Sequence, residues 1–191
     1  MAVPVSALQE INPGAIIELF ELQTSTTLHG SDTIYRFHNG SNTNSNGSLI
    51  WKGNEYQSFP IKCDGFEFQG TGSLPRPTVI ISNIFGTITA IMQNVNDTTV
   101  GNDLNGTKLV RIRTLARFID AVNFPGNTNP HGTPDPTAEF PQEIYFLDRK
   151  VSENREIVQW EAQSALDLVN VKLPGRIATR EIFPGIGTFV G

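Results

Sequence analysis

Apolar and polar residues alternate along most of this chain with the period of a strand. Residues 15–23, AIIELFELQ, form a β-branched and aromatic run, and TIYRFHNG (33–40) reads as a second strand. LIWKGNEYQS (49–58) predicts a hairpin in which Trp51 and Tyr56 flank a tight turn at Lys52-Gly53-Asn54. In GFEFQ (65–69) Phe66 and Phe68 share one face; in PTVIIS (77–82) Val79 and Ile81 do the same. Val110 and Ile112 alternate with Arg111 and Arg113, and residues 115–118 break the pattern, which predicts a bulge or bend. Residues 142–168 read as strand, turn, strand, with Val158, Trp160 and Ala162 on one face.

The period changes once. Ile84, Ile88, Ile91, Met92 and Val95 fall on one helical face, which predicts a short helix over 87–94. Three segments fit neither period. NGSNTNSNGS (39–48) is a polar loop. PGNTNPHGTPDPTAEFP (125–141) holds five prolines, which excludes a central strand and predicts an exposed extended loop with a binding or packing role. The corner between GFEFQ and PTVIIS contains Pro75, Arg76 and Pro77; each proline fixes its own φ and extends the residue before it, so the corner is stiff. The result is a mainly β, antiparallel architecture with one short helix and long loops. Its expected organisation is a β domain over 1–122, a proline-rich loop over 123–141, a hairpin over 142–172 that completes or joins a second β domain, and an extended arm over 173–191.

Composition narrows the chemistry. A chain of 191 residues can bury a real core, and its net charge of −5 gives no global basic field for nucleic acid. The charged share, 17%, lies below the usual quarter, with Asn, Thr, Ser and Gly in its place, as suits a turn-rich β protein or a surface covered by partners. No 18-residue apolar run predicts a membrane-crossing helix, and the N-terminus lacks the basic start of a signal peptide. The one cysteine, Cys63, allows no internal disulfide, and His29, His38 and His131 stand at no metal-ligand spacing. No nucleophile elbow, zinc-protease or phosphate-loop pattern occurs. Asp64 and Glu67 could form a hydrolytic carboxylate pair, but a hydrated strand edge explains them as well. Lys108, Arg111, Arg113 and Arg117 line one segment; alternating arginines on a strand form inter-subunit ion pairs or a solvated face. Phe59, Phe66, Phe68, Phe85, Phe118, Phe124 and Trp160 are core residues by default, and an aromatic platform for sugars, as in a β-sandwich carbohydrate-binding module, is the alternative.

Ordered blocks of sequence carry a further signal. WKGNEYQSFPIKCDGFEFQGTGSLPRPTVIISNIFGTITAIM (51–92), then ARFIDAVNF (116–124), then LPGRIA (173–178) resemble, in this order, the minor tail protein L family of lambda-like long-tailed phages. The resemblance implies a structural protein of the virion tail tip, made in the host cytoplasm, with tube-like or hub-like β domains and no catalysis. Implied partners are other copies of the chain, expected as a homotrimer, together with the distal tail protein and the central hub or fibre protein. No membrane in the assembled state and no specific nucleic acid is implied. Within that reading Pro75, Arg76, Pro77, Arg111 and Arg113 are interface candidates, and Arg76 would meet a neighbour's carboxylate or carbonyl. Phe183 and Phe189 would anchor the C-terminal arm on a neighbour. The family's iron–sulfur module is not carried over, because a cluster takes about four thiolates and Cys63 is one. Cys63 is expected to be a partly buried, metal-free residue.

Overall fold

A computed structural model describes residues 4–11, 14–40, 47–67, 74–165 and 179–185. Its frame is one nine-stranded sheet in the order β3-β4-β2-β1-β7-β8-β9-β6-β5. The strands are β1 Ile16–Gln23, β2 Ile34–His38, β3 Ser48–Trp51, β4 Asn54–Ser58, β5 Ile61–Asp64, β6 Thr78–Ser82, β7 Lys108–Leu115, β8 Glu143–Glu153 and β9 Ile157–Gln163. Every neighbour pair is antiparallel except β2 with β4. The hairpin β8–β9 enters the middle of this sheet, between β7 and β6.

β4 lies near one end of the strand order and β5 is the other end, yet only Phe59 and Pro60 separate them in sequence. Three Cα–Cα steps reach about 11 Å at most, so the sheet must curl until its ends approach. Phe59 N–H continues the β2–β4 ladder by donating to the His38 carbonyl (3.0 Å), and Ser82 N–H then donates to the Pro60 carbonyl (2.9 Å).

After two four-residue helices, α1 Val5–Leu8 and α2 Thr26–His29, the longer helix α3, Thr87–Thr98, packs one face on the curled sheet with Ile88, Met92 and Val95 buried. They pack with Phe20 and Leu22 of β1, Val79 and Ile81 of β6, Leu109 of β7, and Val158, Trp160 and Ala162 of β9. The helix outlasts the expected 87–94 by a turn because Thr99 N–H closes on the Val95 carbonyl. A second cluster lies on the opposite face of β1 and β7: Leu19, Leu49, Trp51, Tyr56, Val110, Ile112 and Ile119. Strict alternation in β1 and β7 thus feeds two cores, since neighbouring residues point to opposite sheet faces.

Three expectations need correction or refinement. The strand before the stiff corner is β5, Ile61–Asp64, whereas residues 65–67 have no strand structure and Phe68 and Gln69 lie outside the described residues. Gly65 sits at φ +91°, outside strand geometry, which ends β5 there. The break after β7, expected as a bulge or bend, is a turn of 3₁₀ helix, Ala116–Phe118. Third, Asn129, Ala138 and Glu139 of the proline-rich segment are buried, so it is not an exposed loop throughout. Asn129 donates to the carbonyls of Ala116, Arg117 and Ile119, and Thr114 Oγ1 donates to the Ala138 carbonyl. Polar side chains thereby fasten a strandless segment to β7.

The predicted hairpin turn is present, and its chemistry is specific. Lys52 (φ +52°) and Gly53 (φ +72°) take the left-handed conformations of a two-residue primed turn between β3 and β4. The Asp120 carboxylate accepts from both turn amides, Lys52 N (3.3 Å) and Gly53 N (2.9 Å). The Asn123 carboxamide accepts from Ile50 N and donates to Ile50 O, each at 2.7 Å. Ile50 lies on the edge strand β3, so Asn123 occupies the main-chain groups that another strand would use. The ARFIDAVNF block is therefore a buckle that closes one edge of the sheet and holds Trp51, fully buried, over the second core.

Candidate interaction surface

The arginines of β7 form a lattice with carboxylates on both flanking strands. Arg111 bonds Glu18 of β1 and Glu143 of β8 (2.8 Å), and Arg113 bonds the other oxygen of Glu143 (2.9 Å). Phe66 lies under the Arg111 guanidinium at 4.5 Å, and Phe140 lies near Arg113 at 5.6 Å. These partners all belong to the same chain. The lattice fastens β1, β7 and β8 together, and Arg111 Nε stays buried without a hydrogen-bond partner among the described residues.

Arg76 behaves similarly. Its guanidinium meets Glu161 of β9 at 3.4 Å and Asp148 of β8 at 3.8 Å. Arg149 also bonds Glu161 (2.7 Å), and Arg149 followed by Arg76 holds the Glu161 carboxyl below its ordinary pKa. Pro75 and Pro77 on either side are buried, and the Pro77 carbonyl accepts from Ala162 N (2.8 Å). The stiff corner at the head of the second strand run therefore keeps its angle against its own sheet, with Arg76 half-exposed on top.

One exposed apolar pair was not singled out by pattern. Ile84 and Phe85 are 69% and 86% exposed, at the turn between β6 and α3. Ile84 shares the helical face by period and Phe85 is a core residue by default, but Gly86 at φ +66° caps α3 after both, and both side chains point outward instead. The turn is rigidly based. Asn83, 5% exposed, donates to Thr89 Oγ1 (2.9 Å) and the Asn154 carbonyl (3.0 Å), while its N–H bonds the Glu156 carbonyl (2.7 Å). Two hollows flank this prong. One, of about 610 Å³, lies toward α3, Glu153 and Arg155. The other, of about 750 Å³, lies over β5, β6 and β9 and is lined by Ile80, Ile84, Ile157 and the Lys62 stem. An aromatic side chain on a fixed turn loses little freedom on docking, which is how interface anchors work.

Other candidates do not gather into a site. Cys63 packs partly buried against the main core, and burial pushes its thiol up to about 12. Asp64 pairs with Lys62 at 2.7 Å, and Glu67 is exposed. Trp51 and Trp160 are fully buried, so neither serves a sugar platform. His29 and His38 are buried and bond backbone: His29 Nδ1 accepts from Ser25 N, and His38 Nδ1 accepts from Gly40 N. Among the described residues no three His, Cys, Asp or Glu side chains gather as metal ligands, and no helix is long and apolar enough to cross a membrane. Of the predicted arm, Phe183 is 54% exposed beside Ile182, and Phe189 lies outside the described residues. So do residues 41–46 of the polar loop and the LPGRIA element, 173–178.

Comparison with known proteins adds what the geometry alone does not. The profile described as phage minor tail protein L matches residues 27–185. Tail tip protein L of Escherichia phage lambda is 38% identical over 87 residues, a stretch covering 46% of this chain and 34% of that relative. The aligned part thus spans about a third of the relative's length.

Proposed function

The chain belongs to the phage minor tail protein L family, and from that membership we propose that it builds the tip of the virion tail as a ring joining the distal tail ring to the central hub, without catalysis. The family match over 27–185 carries this reading. A homotrimer is the proposed state, because a threefold ring is compatible with both a sixfold tube above and a threefold hub below. The partners are then its own copies, the distal tail protein and the hub or fibre protein.

The Ile84–Phe85 prong is the anchor we assign to those contacts, since it is apolar, exposed and held by a buried asparagine. The Arg111–Arg113 lattice and the Arg76 corner keep the subunit's own shape. An iron–sulfur cluster does not fit the residues present: Cys63 is the one cysteine of this sequence, and its thiol is held protonated by burial. Complementation of a phage lacking the gene tests the role. The double substitution Ile84→Asp, Phe85→Asp alters solvent-exposed side chains, so the chain should fold normally and yet fail to enter particles. Normal titres and full incorporation would remove the prong from the account. Normal tails made with no copy of the chain at all would remove the proposed role.

A further inference from the structure

The two edges of the sheet differ. β3 is closed by Asn123, whereas β5 ends the strand order with no further strand beside it among the described residues. Along β5 the bond from Ser82 N to Pro60 O sets the phase of the ladder: residues 60, 62 and 64 bond β6, and the main-chain groups of Ile61 and Cys63 face outward. Among the described residues no partner takes those groups. On the sheet's outer face Lys62 and Asp64 project, 69% and 61% exposed, as a pair 2.7 Å apart.

From this we infer that β5 is a self-association edge, on which a second copy of the chain pairs antiparallel about a two-fold axis through Cys63. Charge selects both partner and register. Outward-facing residues must meet outward-facing residues, so only three central registers are open. Aligning Ile61 with Cys63 of the second copy sets Lys62 against Lys62. Shifting the other way sets Asp64 against Asp64. The register between them sets Cys63 against Cys63 and places each Lys62 opposite an Asp64, closing a ring of four alternating charges. Like charges directly opposite are destabilising and unlike charges stabilising, so the strand is complementary to itself in that one register.

The contact is short, because Gly65 ends the strand. The pair is therefore weak and reversible. A threefold ring contains no two-fold axis, so the pair belongs to the free subunit, where it covers an edge otherwise open to uncontrolled pairing. The inference holds whether or not the chain sits at the tail tip.

Sedimentation equilibrium of the purified full-length chain, up to about 1 mM, tests it. The expected result is a monomer–dimer equilibrium with a dissociation constant of roughly 100 µM, as suits a contact well below standard interface size. Lys62→Glu should weaken it roughly thirtyfold, since two cross-strand pairs turn from attractive to repulsive. Asp64→Lys should do the same. The swapped variant Lys62→Glu, Asp64→Lys should recover the dimer to within about threefold, because the ring of charges is rebuilt with signs exchanged. Both side chains are exposed, so circular dichroism should be unchanged throughout. A wild-type monomer at every concentration, a trimer, a dimer indifferent to Lys62→Glu, or a swapped variant that stays monomeric would each overturn the inference.

Discussion

Asn123→Ala should be among the most damaging single substitutions outside the apolar core. The side chain is 1% exposed, and its amide makes three short bonds: from Ile50 N and to Ile50 O at 2.7 Å, and to Asp120 O at 2.8 Å. Alanine supplies none of them, and the edge of β3 loses its closure over the Trp51 core. At about 1 kcal/mol net per bond the loss is roughly 3 kcal/mol. With a urea slope near 2 kcal/mol/M, the unfolding midpoint should fall by about 1.5 M. Asp120→Ala is the internal control. It removes two bonds, to solvent-exposed turn amides that water can serve, so about 1 kcal/mol or less should be lost. Urea titration followed by tryptophan fluorescence reads both variants. If Asn123→Ala costs less than Asp120→Ala, or less than about 1 kcal/mol, the buckle does not hold the edge.

Gly30→Ala should cost about 2 kcal/mol, because Gly30 ends a short helix at φ +75° and a Cβ there would stand 2.3 Å from Thr98 Oγ1 of α3; a melting temperature within a degree of wild type would contradict it. Stability should fall on acidification below about pH 4. Asp103 (through Asn96, then Lys150) and Glu153 (through Lys150, then Thr89) have folded pKa values below their ordinary ones, so their contribution is complete above the unfolded values and disappears as pH falls through the folded ones. Lys150→Met should flatten that acid limb in urea midpoints taken from pH 6 to pH 3. Cys63 should react with a disulfide reagent at pH 8 on the order of a thousandfold more slowly in the folded chain than in urea. Because its folded pKa is raised from about 9 to about 12, the stability it contributes is full below pH 9 and lost as pH climbs through that window, and Cys63→Ala should remove the loss.

Much of the frame was legible in the sequence because period-two alternation records burial directly. Val158, Trp160 and Ala162 were placed on one face, and all three are buried in the main core. The Lys52-Gly53 turn was legible because a primed turn demands residues that tolerate positive φ. What failed depended on contacts between distant residues. Ile84 fits a helical period, yet a glycine two residues later starts the helix beyond it. The four-residue helices Val5–Leu8 and Thr26–His29 are too short to show a period. The arginine lattice was visible as alternation, but its carboxylates, Glu18 and Glu143, lie 93 and 32 residues away in sequence. The roles of Asp120 and Asn123 were hidden for the same reason, although both stand inside a block that carried the family resemblance. The family itself was legible from ordered motifs, and the profile match bears it out.

The central claim, that this chain is a structural subunit of the tail tip, is tested most directly by cryo-electron microscopy of intact particles at side-chain detail. The account predicts density for the curled nine-stranded sheet at the distal end of the tail, repeated three times around the axis, with Phe85 seated in a neighbouring chain. Tails complete at that position without this fold, or the chain found in the capsid instead, would contradict it.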